Sequence, residues 1–263
     1  ALDNLLVRWG GNWDFLGDWL WPNAQGTNGD TRETLFLNNC YWVYNLETAA
    51  DICDVLEKPD CAKRYRQRAE EIRQAIHKEF YNPDDHSCVN AFQAYLAAAL
   101  LADIPPKNLR DQVWDRLEKE ILDVRNGHIH AGITGGALLF KTLMQNNRND
   151  LIYAMASKDD YPSWGDMLRQ GATTIWEDWE GRENHSLLHS SYLYIGPWFI
   201  EGLGGIKLDP QASSFKEFII QPGLFDENPV DWVRSSYDSL YGTIQSNWRI
   251  QNGTFSLDAI VPP

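Results

Sequence analysis

The stretch that decides the fold is VNAFQAYLAAALLA, residues 89–102, in which almost every side chain is apolar. An α-helix that is apolar on every side is covered by other elements on every side. The run is shorter than the roughly 20 residues that a membrane span needs. The sequence therefore predicts a central helix that is buried all round.

Amphipathic helices are predicted on both sides of this run. In residues 31–56 and 60–80, apolar side chains recur three or four positions apart, as one helix face requires, and Pro59 separates the two segments. Further helices are predicted at residues 107–124, 134–147, 149–158, 163–170 and 183–204. About eight helices in tandem give a bundle, a solenoid or a closed toroid of paired helices. No repeat of fixed period occurs, which disfavours the solenoid.

From residue 206 onward the pattern is typical of short strands. Residues 215–220 alternate, residues 237–248 are strand-like with a break at Gly242, and residues 250–257 indicate a hairpin around Asn252-Gly253. Three or four strands are few for an independent sandwich. We therefore expect partner strands to be missing or to come from elsewhere, which is a first sign of a fragment.

Composition excludes several classes of function. The 263 residues carry 23 basic and 37 acidic side chains and a net charge of −14, which opposes binding to nucleic acid. No apolar run is long enough for a membrane span, so no membrane partner is expected. The 12 Trp, 11 Tyr and 10 Phe are compatible with a large aromatic core or with sugar binding, in which flat rings cover apolar sugar faces.

The cysteines predict neither a metal site nor a disulfide framework. Cys40, Cys53, Cys61 and Cys88 lack metal-ligand spacing, so we expect buried thiols, no zinc and no cofactor. Calcium held by surface carboxylates stays open. The chain starts at Ala1 without a signal segment, which leaves the compartment open.

The densest group of polar and aromatic residues lies at 161–181. There Trp176 and Trp179 flank Glu177 and Asp178 in a segment too rich in Gly and Thr for a stable helix. If the two indoles line a cleft, they place Glu177 between apolar planes, the environment that a glycoside hydrolase uses for one of its two carboxyls. The alternative is an acidic surface loop whose rings pack into the core.

Five segments resemble bacterial α-L-rhamnosidases of glycoside hydrolase family 78, in the same order and over almost the whole chain. They are GDWLWP (17–22), HIHAGITGGALL (128–139), YPSWGDMLRQGATTIWEDWEG (161–181), HSSYLYIGPWFIEGLGGI (189–206) and residues 232–263. The resemblance implies an (α/α)6-type helical toroid that holds the active site, followed by a small antiparallel β-sandwich segment. It also implies inverting hydrolysis of terminal α-L-rhamnosides.

The resemblance further implies roles for individual residues. Glu177 matches the general base, and His189 matches a histidine that contacts the sugar. Trp19, Trp176 and Trp179 are expected to stack on sugar rings, and Asp18 is expected to bind the sugar. The substrate would be a rhamnosylated glycoside or polysaccharide.

This chain also departs from the family pattern. The family's general acid lies in an acidic motif upstream of GDWLWP, and we find no counterpart here. Asp14, Asp18, Asp30 and Glu33 are weaker candidates for that acid. We therefore expect residues 1–205 to form a catalytic toroid that lacks its first helices and residues 206–263 to form a truncated β-sandwich. Such a piece would be inactive without an acid from another chain or from the remainder of a longer chain.

Two other functions stay open. One is a catalytically incomplete fragment that binds rhamnose. The other is a different toroid enzyme, such as an unsaturated uronyl hydrolase or a polysaccharide lyase, which the charge of −14 disfavours because those enzymes act on anionic sugars. His128 and His130, near Gly127, are open to contact with the sugar from a loop, but a helix-capping or exposed role is favoured. His77, His86 and His185 are interpreted as solvent-facing.

Overall fold

The structure, a computed structural model, describes residues 4–8, 10, 15–24, 31–209, 212, 214–224 and 229–263. Its helices are α1 (Arg32–Val55), α2 (Pro59–Phe80), α3 (Gln93–Leu101), α4 (Arg110–Lys119), α5 (Ile133–Gln145), α6 (Asn149–Ala156) and α7 (Trp164–Arg169). Its strands are β1 (Ile206–Leu208), β2 (Phe218–Ile220), β3 (Trp232–Ser239), β4 (Gly242–Gln251) and β5 (Thr254–Ile260).

Helix α3 is the central helix that the sequence predicts. Every residue from Gln93 to Leu100 is buried. One side of α3 packs with α1 and α2 around Phe36 and Ile72, and the other packs with α4, α5 and α6. The prediction of a helix buried all round is confirmed. Helix α3 lies between the α1–α2 pair and helices α4, α5 and α6.

The amphipathic helices α1 and α2 form a hairpin across a turn at residues 56–58. The side chain of Thr31 accepts a hydrogen bond from the Thr34 N–H and caps α1, and Pro59 occupies the first turn of α2. The observed bounds agree with the predicted segments 31–56 and 60–80 to within a residue. Local signals are sufficient here because Thr31 and Pro59 each lie at the start of the helix that they begin.

Two predicted helices differ from the structure. Segment 107–124 is divided into a 3₁₀ turn (Lys107–Leu109), α4 and a π-helical turn (Glu120–Val124). Segment 183–204 is helical only near its end, at Leu193–Ile195 and in the π-helix Trp198–Leu203. Its first half is a loop of turns and bends, in which Ser186 bonds to nearby backbone and Tyr192 to the distant Leu20 carbonyl.

The C-terminal strands form two small antiparallel sheets. Strand β1, which the sequence did not reveal, pairs with β2, and β3, β4 and β5 follow each other in a three-stranded sheet. The predicted Asn252-Gly253 hairpin is confirmed: both residues have positive φ, as a two-residue turn between β4 and β5 requires, and Gln251 pairs with Thr254. The predicted break at Gly242 is a turn between β3 and β4.

The three-stranded sheet docks on the end of the helical part. Trp248 is buried, and its Nε1–H donates to the Leu203 carbonyl at 2.8 Å. Within the residues that the structure describes, we find no helix with the length and apolar character of a membrane span.

Candidate active site

Asp18 lies at the start of α5. It is buried, and its two carboxylate oxygens accept hydrogen bonds from the Gly132 and Gly135 N–H groups at 2.7 and 2.6 Å. These donors belong to the first turn of α5, where unpaired N–H groups and the helix dipole favour an anion. Burial nevertheless raises the pKa of Asp18 to about 6, against the opposing effect of the two hydrogen bonds. The sequence predicts that Asp18 binds the sugar. In the structure its carboxylate also binds the first turn of α5.

A cavity of about 240 Å³ lies beside Asp18. Its other lining residues come from the segment before α1 and from the ends of α1 and α3: Trp21, Thr31, Glu33, Asn90, Phe92, Ala94 and Tyr95, together with His130. A hollow with aromatic walls and a few carboxyl, amide and imidazole groups has the composition of a small-molecule site.

Glu177 lies in a second loop, residues 175–189, whose two arms are held together by backbone contacts. The Glu177 N–H donates to the Ser186 carbonyl at 2.9 Å, and the Ser186 N–H donates to Glu177 Oε2 at 2.8 Å. The carboxylate is half-buried. It is therefore fixed in orientation by its own loop while part of it stays open to solvent.

The turn of this loop is organised by Asp178, which is buried. Its Oδ1 accepts hydrogen bonds from the N–H groups of Gly181 and Arg182, and its Oδ2 lies 2.5 Å from His185 Nδ1. The prediction that His185 faces solvent is wrong, because this carboxylate draws the ring into the turn. His185 directly precedes Ser186, so the contact also fixes the N–H that binds Glu177.

The two indoles pack into the core, which is one of the two arrangements that the sequence left open. Trp179 is 1% exposed, stacks on Tyr192 at 3.9 Å and donates its Nε1–H to the Ala131 carbonyl. Trp176 is also buried and packs over Gly181. The sequence does not tell whether an indole packs into the core or lines a cleft. Distant partners such as Tyr192 decide between these two positions.

His189 lies on the far arm of the Glu177 loop. Its N–H donates to the Ile175 carbonyl, two residues before Glu177 on the opposite arm of the loop. The imidazole is exposed, with Nδ1 2.6 Å from Ser191 Oγ. Trp19 directly follows Asp18 in the chain. It is half-buried, and its carbonyl accepts a hydrogen bond from the Ile133 N–H.

Long-range hydrogen bonds join the Asp18 segment to the Glu177 loop. Glu180 Oε1 accepts from the Asn23 N–H and from the Tyr161 hydroxyl, at 2.7 and 2.6 Å. Tyr192 donates its hydroxyl to the Leu20 carbonyl. Together with the bond from Trp179 to Ala131, next to Gly132, these contacts hold the segment that carries Asp18 beside the loop that carries Glu177.

His130 lines the cavity beside Asp18, a position that the sequence interpretation did not favour. The interpretation as capping or exposed is wrong, since the ring is half-buried, lies edge-on to Phe92 and has no hydrogen-bond partner for Nδ1 among the described residues. Burial, with Arg125 adding to it, lowers its pKa to about 4. His128 instead pairs with Asp160 at 2.7 Å.

The remaining acid candidates are only partly placed. Glu33 lines the cavity beside Asp18, whereas Asp14 and Asp30 lie outside the described residues. In the described part of the chain no cluster of three or more His, Cys, Asp or Glu side chains has the arrangement of a metal site.

Comparison with curated proteins identifies relatives along nearly the whole chain. The α-L-rhamnosidase of Formosa agariphila is 28% identical over 259 residues, which cover 94% of this chain and 27% of the relative. That of Alteromonas sp. (strain LOR) is 29% identical over 263 residues, 94% of this chain and 28% of the relative. The chain thus spans little more than a quarter of the length of these relatives.

Solved structures show the same fold. The crystal structure of Streptomyces avermitilis α-L-rhamnosidase complexed with L-rhamnose superposes with a TM-score of 0.84 at 24% identity, covering 100% of this chain and 25% of that one. Native α-L-rhamnosidase from Aspergillus terreus gives 0.83 at 24% identity, covering 94% and 30%. The expected toroid-type helical domain followed by antiparallel strands is confirmed.

Two family models divide the chain between them. The bacterial α-L-rhamnosidase six-hairpin glycosidase domain matches residues 3–203, and the bacterial α-L-rhamnosidase C-terminal domain matches residues 205–263. Since the first of these alone covers well over half of the sequence, the chain belongs to the bacterial α-L-rhamnosidase family.

Proposed function

We propose that this chain is part of a glycoside hydrolase that removes terminal α-L-rhamnose with inversion. Within it, Glu177 is the general base. The observation that carries the proposal is the half-exposed Glu177 carboxylate, oriented by the Ser186 N–H and placed on the same loop as His189. Family membership supplies the reaction class. The substrate is a rhamnosylated glycoside or polysaccharide.

In this mechanism Glu177 takes a proton from a water molecule as the water oxygen attacks the anomeric carbon. The attack comes from the face opposite the leaving oxygen, which receives its proton from a second carboxyl about 6.5–9.5 Å from the base. One bond to the anomeric carbon forms as the glycosidic bond breaks, so the configuration inverts. Because the Ser186 N–H holds Oε2, the carboxylate presents a fixed edge to the water.

We assign the proton donor to none of the described carboxyls. Asp18 has a raised pKa, as an acid needs, but both of its oxygens accept backbone hydrogen bonds and it is 3% exposed. We propose instead that Asp18 shapes the sugar site, with Trp19 and His189 contacting the sugar. Trp176 and Trp179 support that surface from the core, since both rings are buried.

We further propose that residues 1–205 act as the catalytic domain and that residues 206–263 form a separate β domain. The hydrogen bond from Trp248 to Leu203 lies at this boundary, and the catalytic candidates all precede it.

The test of Glu177 is made in the complete enzyme, which also supplies the acid, and compares Glu177→Gln with Glu183→Gln, a change of an exposed glutamate in the same loop. Loss of a general base lowers kcat by about 10²–10⁴-fold. The loss is expected on aryl rhamnosides with good and with poor leaving groups alike, because water must be activated in both cases. Glu183→Gln is expected to keep normal turnover.

Normal turnover by Glu177→Gln would remove Glu177 from this role. A loss confined to poor leaving groups would identify Glu177 as the acid instead. NMR of the first-formed sugar reads the stereochemistry, and a retained configuration contradicts inversion. If the complete enzyme binds rhamnose in calorimetry but cleaves none of these substrates, the sugar-binding alternative replaces the hydrolase.

A further inference from the structure

The sulfur atoms of Cys53 and Cys61 meet at the turn between α1 and α2. Cys53 lies near the end of α1 and Cys61 in the first turn of α2, and the two Sγ atoms are in direct contact, 2.6 Å apart. We propose that this pair is an oxidation site that closes to an intrachain disulfide and clasps the α1–α2 hairpin. The site lies apart from the Asp18 cavity and the Glu177 loop.

The backbone on both sides of the pair is already fixed. The Lys58 N–H donates to the Cys53 carbonyl at 2.8 Å, and the Cys61 N–H donates to the Lys58 carbonyl at 3.0 Å. Ala50 and Ala62 pack beside the sulfurs, with Tyr65 against them. Small side chains and a hydrogen-bonded turn hold the two helix ends, so the sulfurs have to close only from 2.6 Å to the length of a disulfide bond.

The two thiols differ in access, which sets the order of the reaction. Cys61 is half-buried and Cys53 is 7% exposed. The hydrogen bond to Cys61 raises the pKa of the Cys53 thiol, and burial adds to this, whereas Lys58 and Arg64 act in the opposite direction. A dissolved oxidant therefore meets Cys61 first, and Cys53 acts as the resolving thiol.

The oxidant is a low-molecular-weight disulfide such as oxidised glutathione. The Cys61 thiolate attacks one of its sulfurs, the glutathione S–S bond breaks, and one glutathione thiolate leaves. The Cys53 thiolate then attacks Cys61 Sγ, the protein S–S bond forms, and the second glutathione thiolate leaves. Two electrons pass from the protein to glutathione, and the two thiol protons end on the two released thiolates.

The other two cysteines provide an internal comparison. Cys40 and Cys88 are buried between α1 and α3, at 2% and 3% exposure. Burial raises the pKa of Cys88 to about 12, and burial together with Cys88 raises that of Cys40. Few thiolates form there, so these two thiols are expected to stay reduced while the native fold persists.

The test incubates the native protein with oxidised glutathione, blocks the remaining thiols with an alkylating agent, and reads intact mass and peptide maps. The unaltered protein is expected to lose the mass of two hydrogen atoms, with a link between the peptides of Cys53 and Cys61. Cys53→Ser is expected to gain one glutathione on Cys61 and to form no internal link. Cys40→Ser is the matched control and is expected to behave like the unaltered protein.

Thermal unfolding tests whether the disulfide stabilises the α1–α2 hairpin. Closing this short loop is expected to raise Tm by about 5 °C after oxidation, with no rise in Cys53→Ser. In reductant the single variants and the unaltered protein are expected to unfold at similar temperatures, which shows that the variants fold. A link between Cys40 and Cys88, stable glutathionylation of the unaltered protein, or reaction only after denaturation would each overturn the proposal.

Discussion

At the scale of single residues, Asp18 combines a structural and an electrostatic role. Its oxygens bind the first turn of α5, yet it is enclosed so fully that burial raises its pKa from 3.8 to about 6. Between these two pH values the folded protein holds a proton that the unfolded chain has released. The stabilisation from this group is therefore complete below about pH 4 and is lost as the pH rises through 6.

Asp18→Asn tests this reversed pH dependence. The asparagine cannot ionise, and its amide group leaves one backbone N–H without an acceptor, a cost that is the same at every pH. The unaltered protein loses up to about 3 kcal/mol between pH 4 and pH 7 through this residue. The difference in free energy of unfolding between the two proteins should therefore shrink over that range.

Urea denaturation at pH 4.5 and pH 7 measures this difference. Asp115→Asn, at an exposed position, is the control and should show a gap that does not change with pH. A gap that is equally constant for Asp18→Asn would mean that the carboxylate is solvated in the folded protein.

At the same scale, sequence and structure differ most where the position of a side chain depends on distant partners. The sequence predicts a helix over residues 183–204 that includes His189, whereas the structure places His189 on the loop arm opposite Glu177. The position of Trp179 did not follow from the sequence either, because it depends on Tyr192 and Ala131. The same holds for His185, whose environment is set by the carboxylate that it meets across the turn.

At the scale of elements, the start of α5 is crowded enough to demand glycine. A methyl group at Gly135 would collide with the Asp18 carboxylate and with Ala94 of α3. One at Gly132 would strike the Trp19 carbonyl. Close approach of three segments, rather than backbone flexibility, thus explains why glycines stand where a helix begins.

Gly135→Ala is accordingly expected to destabilise the protein by about 1–3 kcal/mol, the range for overpacking a tight site. Gly196→Ala is the matched control, because a methyl group there meets nothing within 4 Å and the backbone is helical. Thermal unfolding followed by circular dichroism compares the two. Equal midpoints for both variants would show that the α5 start relaxes readily.

The elements also show where sequence patterns reach their limit. Period and caps are local, and they predicted α1, α2 and α3 closely. The loop before Leu193 is shaped by contacts such as Tyr192 to Leu20, 172 positions apart, which no local pattern records. A helix was therefore predicted where tertiary bonds favour a loop.

At the scale of the whole molecule, the three-stranded sheet depends on the helical part for its stability. Three strands with one apolar face are marginal on their own. Trp248 is 2% exposed, lies against Phe255 and donates to the Leu203 carbonyl at the end of the π-helix Trp198–Leu203. The docking of the sheet thus rests on one large side chain that both packs and bonds.

Trp248→Ala is expected to detach the sheet while the helical part stays folded. Loss of a buried indole costs about 3–5 kcal/mol, which exceeds what three strands can supply alone. Limited proteolysis should then cut within residues 232–260 under conditions in which the unaltered protein is resistant, and calorimetry should show an early, separate transition. Trp232→Ala removes an indole that is 60% exposed on the same sheet and should change neither readout. If Trp248→Ala instead lowers a single transition for the entire chain, the helical and strand regions unfold as one cooperative unit.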